Sequence, residues 1–204
     1  MSPPVIGIIG AIGAGKSTVC SILRDCGCVV ADSDLMSREA LGDVKVRQEL
    51  VDWWGRTVLS PDGTLDRGQI ARIVFADPQQ RKRLEGLVHP WINRRRRELF
   101  AAAPARTPAL IFDAPLLLEA GLAGECQTIL FVDARRELRL ERVKRARGWT
   151  EVELNRREEA QWPLDRKRQC AHHVVSNEAD MASLRAQVCA LLGEVIAAAL
   201  PKPG

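Results

Sequence analysis

Gly10-Ala11-Ile12-Gly13-Ala14-Gly15-Lys16-Ser17 satisfies every fixed position of the pattern G-x-x-x-x-G-K-[ST], a spacing suited to gripping a polyphosphate. Glycines let the backbone wrap closely around an anion, because only glycine enters the φ > 0 regions without a Cβ clash. The loop amides and the N-terminus of a following helix then aim at the phosphate oxygens. In that arrangement Lys16 reaches the β- and γ-phosphates and the Ser17 hydroxyl coordinates Mg2+. Thr18 adds a second hydroxyl beside it.

Other residues carry reactive groups. Asp32 and Asp34 flank Ser33, and carboxylates at i and i+2 of an extended chain share one face. One could orient Mg2+ through water while the other takes a proton from a hydroxyl nucleophile; phosphoryl transfer asks little more of a protein than this, positioning and charge neutralisation. The competing reading makes Ser33 or Asp34 the N-cap of a helix starting at Leu35. Asp113 ends the apolar run Ala109-Leu110-Ile111-Phe112, as does a carboxylate that holds Mg2+ through water. Arg142, Arg145 and Arg147 could clamp a transferring phosphoryl group, or form a solvated helix face paired with Glu137 and Glu141. For Arg94 to Arg97 the solvated face is favoured. His89 by itself reads as a structural or turn-capping residue.

The elements that must position these groups follow from periodicity. Runs at 5–9, 28–31, 109–113, 128–133 and 173–176 are short and rich in Val, Ile and Leu, with helical segments between them. Strands buried on both faces read this way, so an α/β fold is expected: a parallel five-stranded sheet flanked by helices. Ligands of such sheets sit at the C-terminal ends of the strands, where the glycine loop, Asp32-Ser33-Asp34 and Asp113 all fall. Ser17 to Cys26 reads as the first helix. The roughly 75 residues between the second and third runs show no clear strand. They read as helices over 35–54 (broken near Gly42), 67–74, 78–87 and 90–103, with a turn at Ser60-Pro61-Asp62-Gly63. Further helices are expected over 137–146, over 150–161 with Thr150 and Glu153 as a capping box, and over 181–200, before a disordered tail, Pro201 to Gly204. One domain over 1–204 is expected, with a core of 1–35, 108–140 and 170–200, a helical substrate lobe of 36–107 and a mobile lid of 141–169.

With 204 residues and 46% hydrophobic content, the chain supports a real core. No run approaches the length of a membrane span, and no secretory signal is visible. The six cysteines form no C-x-x-C pair, and the expectation is reduced, mostly structural thiols. The net charge of +4 is concentrated between Arg135 and Arg168, which hold 12 Lys/Arg against 7 Asp/Glu. That excess calls for an anionic partner, and a polyphosphate satisfies it. Aromatic content of 4%, with no Tyr, excludes the aromatic-basic interleaving that stacks single-stranded bases.

In this order the residues resemble the dephospho-coenzyme A kinase family across nearly the whole chain. The family's G-G-I-G-S-G-K-S-type loop is met by Gly10 to Ser17, and its D-A-D by Asp32-Ser33-Asp34 with Arg38 behind it. Its D-G-x-L-x-R is met by Asp62-Gly63-Thr64-Leu65-Asp66-Arg67, its H-P-x-I by His89-Pro90-Trp91-Ile92, and its P-L-L-x-E within Asp113 to Glu119. A late Gln, Lys and Asn correspond to Gln161, Lys167 and Asn177. The glycine loop is shared by a very large superfamily; the ordered set is specific.

The resemblance implies a P-loop NTPase fold with a nucleotide-binding core, a helical coenzyme A lobe and a lid. It implies transfer of the ATP γ-phosphate, with Mg2+, to the ribose 3′-hydroxyl of dephospho-coenzyme A, giving coenzyme A and ADP in the last step of coenzyme A biosynthesis. Carried over by position, Lys16, Asp34 and Arg142 are catalytic, with Asp34 as base or hydroxyl-orienting carboxylate, although the sequence leaves open whether Asp32 or Asp34 carries the proton. Gly13, Ala14, Gly15, Lys16, Ser17, Thr18 and Asn177 bind ATP. Asp34, Arg38, Arg67 and His89 line the acceptor site, and Ser17 and Asp113 hold the metal. A cytoplasmic enzyme is expected, a monomer or weak homo-oligomer with neither nucleic-acid nor membrane partners. The chain departs from the pattern at Ala11, at Ala146 (where a second lid arginine falls, between Arg145 and Arg147) and at Ala171-His172, where the family has A-D. A nucleotide or shikimate-like kinase would leave His89-Pro90 unexplained. A nucleotide-dependent switch or nucleic-acid ATPase would need a GTP base-recognition motif or a basic-aromatic stripe, and neither is present.

Overall fold

The computed structural model describes residues 2–199; the tail from Pro201 lies outside them. Contacts divide the described residues into two compact units, residues 2–32 with 103–199, and Ser33–Ala102.

The first unit is built on five strands: β1 (Val5–Gly10), β2 (Val29–Asp32), β3 (Leu110–Asp113), β4 (Thr128–Asp133) and β5 (His173–Ser176). Their order is β2-β3-β1-β4-β5, and every pairing is parallel. This is the expected five-stranded sheet. Helix α1 (Lys16–Asp25) and the last helix, α9 (Met181–Ala199), pack on it through one core that joins Ile6, Ile8, Ile111, Leu130 and Val132 to Val19, Ile22 and Leu23.

Helix α9 is long and apolar enough to cross a membrane by length and composition, with a mean hydropathy of 1.4, contrary to the expectation that no run approaches that length. Its Leu184, Val188, Leu191, Leu192 and Val195 are buried in the same core. These positions form one helical stripe, each side chain contributing about 1.5–3 kcal/mol, while 28% of the helix's apolar window is buried. Three helices, α6 (Arg136–Arg147), α7 (Glu151–Glu159) and α8 (Leu164–Gln169), lie between β4 and β5; α8 packs Leu164 against the core and has no counterpart in the sequence-based reading. Thr150 caps α7 by accepting from the Glu153 amide (3.3 Å). The reciprocal half of the predicted capping box is replaced: the Glu153 carboxylate accepts instead from Arg156 and Arg157, whose charged donors outbid a neutral N–H.

The second unit contains α2 (Ser33–Ala40), α3 (Val44–Trp54), α4 (Arg67–Ala76) and α5 (Pro78–Ala101) around Ala40, Val46, Leu50, Val58, Ile70 and Val88. Aspartates start three of them. Asp43 accepts from the Lys45 and Val46 amides, Asp66 from Gln69 and Asp77 from Gln79, each worth about 1 kcal/mol. Asp43 also accepts from the Trp91 indole (2.9 Å), the leading cause of its lowered pKa, and so ties α3 to α5. Helix α5 is continuous through Pro90, where two helices were expected. Apolar side chains on both sides of the proline, Leu84, Leu87, Val88, Trp91 and Ile92, pack on the same small core. That burial offsets the roughly 3 kcal/mol of a helical proline.

Candidate active site

Strand β1 is central in the sheet, and its C-terminal end runs into the loop that precedes α1. Gly13 (φ 78°) and Gly15 (φ 94°) are left-handed. Close packing also demands glycine there: a Cβ on Gly13 would lie 2.8 Å from the Arg139 carbonyl oxygen, and one on Gly15 2.1 Å from Asn177 Nδ2. The Lys16 ammonium lies along the loop, donating to the Gly10 and Ala11 carbonyls at 3.3 Å each. Ser17 is exposed at the start of α1.

The loop is held from behind by residues more than a hundred positions away. Asn177, just past β5 and almost fully buried, donates Nδ2 to the Ala14 carbonyl (2.8 Å). Arg142 donates to the Ala14 carbonyl (3.4 Å) and the Asn177 carbonyl (2.9 Å). Arg139, 4% exposed, donates to the Ala134 carbonyl (3.1 Å) and the Ile12 carbonyl (3.3 Å), and it pairs with Glu158 of α7. Glu158 also takes Arg136 (3.0 Å). These donors to the Ile12 and Ala14 carbonyls, with the Ala14 amide turned inward to the Ala11 carbonyl (3.2 Å), fix the curvature of the loop. Arg139 and Glu158 are absent from the sequence-based set; the signal for the arginine is its place in the series Arg136, Arg139, Arg142 on one charged helix. Arg139→Ala is expected to cost about 1–3 kcal/mol of stability, because it leaves the Ala134 and Ile12 carbonyls without their donor while Glu158 keeps Arg136, whereas Arg145→Ala on the exposed side of α6 should cost less than about 0.5 kcal/mol. Urea melts compare the two, and equal losses would contradict the assigned role.

Asp113 ends β3 in register with Asp32 of β2 on one side and Ile8 of β1 on the other. Parallel strands lie about 4.8 Å apart, so two carboxylates stand side by side at the sheet edge that carries the loop. The Cys20 thiol donates to Asp113 Oδ2 (3.4 Å). Burial first, then the negative charge of Asp113, push its pKa far above the ordinary thiol value, so it remains a protonated donor that orients the carboxylate.

Behind β3, Glu119 accepts from Lys167 Nζ (2.8 Å) and the Trp162 amide (2.9 Å), and Lys167, 1% exposed, also donates to Gln161 (2.8 Å). Burial would raise the Glu119 pKa, but Lys167 and the Trp162 amide outweigh it and hold it low. A depressed carboxylate contributes stability that is complete above its unfolded value, about 4.3, and is lost as pH falls below that value through the folded one. Wild-type protein is therefore expected to lose more stability than Glu119→Gln on acidification through that window, measured by denaturant midpoints at stepped pH.

In the second unit, a cleft of about 510 Å³ is lined by Asp34, Ser37, Arg38 and Arg67, with Ile70 and Val74 as an apolar wall. Asp34 and Arg38 lie one turn apart on α2, and Arg67 opens α4. One carboxylate among two guanidiniums leaves the cleft net positive, fit for an anionic ligand that also presents a hydroxyl. His89 is exposed on α5 and is not part of this lining. Near Ala146, both Arg147 (4.6 Å) and Arg157 (4.1 Å) stack on Trp149. At His172 the imidazole Nδ1 accepts the Ile129 amide (3.0 Å) while its own backbone N–H donates to the Ile129 carbonyl (2.9 Å), closing the entry to β5.

A family model described as "CoaE: Dephospho-CoA kinase" matches residues 4–183. The dephospho-CoA kinase of Geobacter metallireducens is 40% identical over 194 residues, 94% of this chain and 96% of that protein. The crystal structure of TT1252 from Thermus thermophilus superposes with a TM-score of 0.83 at 36% identity, covering 95% of this chain and 98% of that one. A dephospho-CoA kinase structure from Campylobacter jejuni gives 0.71 at 20% identity, over 96% and 98% of the two chains, a likeness of fold.

Proposed function

Because the chain belongs to the dephospho-CoA kinase family, we propose that it transfers the γ-phosphoryl group of ATP to the ribose 3′-hydroxyl of dephospho-CoA, releasing CoA and ADP. The observation that carries this reading is the glycine loop with Lys16 at the sheet edge bearing Asp113, a site for a triphosphate and its cation.

The donor set suits Mg2+. Ser17 and Asp113 offer oxygen alone, the ligand type this cation demands. Among the described residues no group of three or more His, Cys, Asp or Glu could hold a metal, consistent with an ion held by few protein groups plus phosphates and water. Held by Ser17 and Asp113, Mg2+ would supply charge neutralisation for the phosphates. Gly13 to Thr18 and Asn177 hold the nucleotide. Lys16 neutralises the charge that develops on the transferring group, and Arg142, already at the loop, adds a second cation there. Asp34 accepts the proton of the attacking hydroxyl, while Arg38, Arg67 and His89 hold the acceptor. Residues 141–169 act as the lid that excludes water and limits ATP hydrolysis. We further propose a cytoplasmic enzyme, a monomer or weak homo-oligomer with neither membrane nor nucleic-acid partners; the five side chains that α9 packs into the core of the sheet support its reading as a core helix.

A coupled assay of ADP release tests the reading, with dephospho-CoA, shikimate and adenosine each as sole acceptor. Turnover well above the acceptor-free blank is expected with dephospho-CoA alone. ADP release no faster than the blank would refute it.

A further inference from the structure

Two of the six cysteines face each other. Cys26, half-buried, is the C-cap of α1, and the exposed Cys189 stands in the middle of α9. Their sulfurs are 3.3 Å apart although 163 positions separate them in sequence. The helices that carry them are fixed at this point. Ile22, Leu23, Val188 and Leu192 share one core, and Asp25 binds Arg185 across the same gap (2.8 Å), one residue before Cys26 and one turn before Cys189. A disulfide needs S–S near about 2 Å, so closure asks for side-chain rotation and a slight approach within a scaffold that already holds the partners together.

We propose that Cys26 and Cys189 form a reversible redox site: a hydroperoxide or a low-molecular-weight disulfide oxidises them to a disulfide that staples the end of α1 to α9, and thiol reductants reverse it. With a hydroperoxide, the Cys189 thiolate attacks one peroxide oxygen; an S–O bond forms, the O–O bond breaks, and the departing oxygen takes up a proton. The Cys26 thiolate then attacks the sulfenic sulfur; the S–S bond forms, the S–O bond breaks, and hydroxide leaves as water. The two thiols lose two electrons and two protons, and the peroxide gains them. With a small disulfide, two successive exchanges release two small thiols and give the same product.

Neighbouring groups set the rate and the selectivity. Burial, then hydrogen bonding to Cys189, raises the pKa of Cys26, while Arg185 pulls the other way, so closure speeds up with rising pH. Cys28 is buried, and burial pushes its thiol up to about 11, which keeps it out of the exchange.

Incubating the full-length protein at mildly alkaline pH with hydrogen peroxide, or with oxidised glutathione, is expected to lower its intact mass by two hydrogens. Trypsin should then release the peptide beginning at Asp25 joined to the one beginning at Ala186. Because the first of these carries both Cys26 and Cys28, Cys28→Ser is digested in parallel and should retain the link, whereas Cys26→Ser and Cys189→Ser should each lose it. The oxidised wild type should melt about 5 °C or more above the reduced form, as a crosslink closing so long a loop predicts, and dithiothreitol should abolish the rise. Alkylation of both Cys26 and Cys189 after oxidation would overturn the proposal, as would a crosslink that survives Cys189→Ser or vanishes in Cys28→Ser.

Discussion

Replacing Lys16 with alanine is expected to lower kcat by about 10²–10³-fold, the scale on which a preorganised charge stabilises a transition state. The side chain follows the loop and ends on its carbonyls at 3.3 Å, which places the ammonium at the loop where the proposed triphosphate would lie. Lys16→Arg should not restore the rate, because a planar fork does not fit where a point charge is wanted. Steady-state rates at saturating ATP measure the loss, and a kcat within tenfold of wild type would remove Lys16 from the chemical step.

Asp34→Asn is expected to lower kcat by about 10²–10⁴-fold and leave ATP affinity unchanged, since the substitution keeps the side chain's shape and alters only the acceptor cleft. Titration calorimetry with ATP and the kcat of the same preparation separate the two effects. Asp32 stands in register with Asp113 at the sheet edge, as suits a carboxylate that orders water on the metal, whereas Asp34 lines the cleft with Arg38 and Arg67. If Asp32→Asn removed the acid limb of the kcat–pH profile and Asp34→Asn did not, the roles would be reversed.

What the sequence discloses here is what local chemistry determines. Gly10 to Ser17 is legible because its glycines answer a backbone requirement, and the runs of β1, β3 and β4 are legible because strands buried on both faces carry no polar alternation, while the edge strands β2 and β5, only partly buried, are legible from their Val content. The continuity of α5 is hidden, since the helix-breaking tendency of Pro90 is local and the burial of Val88, Trp91 and Ile92 that overrides it is tertiary. Arg139 is hidden for a similar reason: its partners, Ile12, Ala134 and Glu158, come from three different segments. The capping box at Thr150 is half legible, because the residue types predict it and nearby guanidiniums claim its glutamate.

The central position of β1 has a consequence for biosynthesis. This strand is synthesised before both of its neighbours in the sheet, which begin at Leu110 and Thr128, and before Asn177, which braces its loop. Such long-range pairing slows folding. A nascent chain must therefore shelter the apolar segment Val5–Gly10 until the segments of β3 and β4 have emerged, and the loop is braced only once Asn177 has followed them.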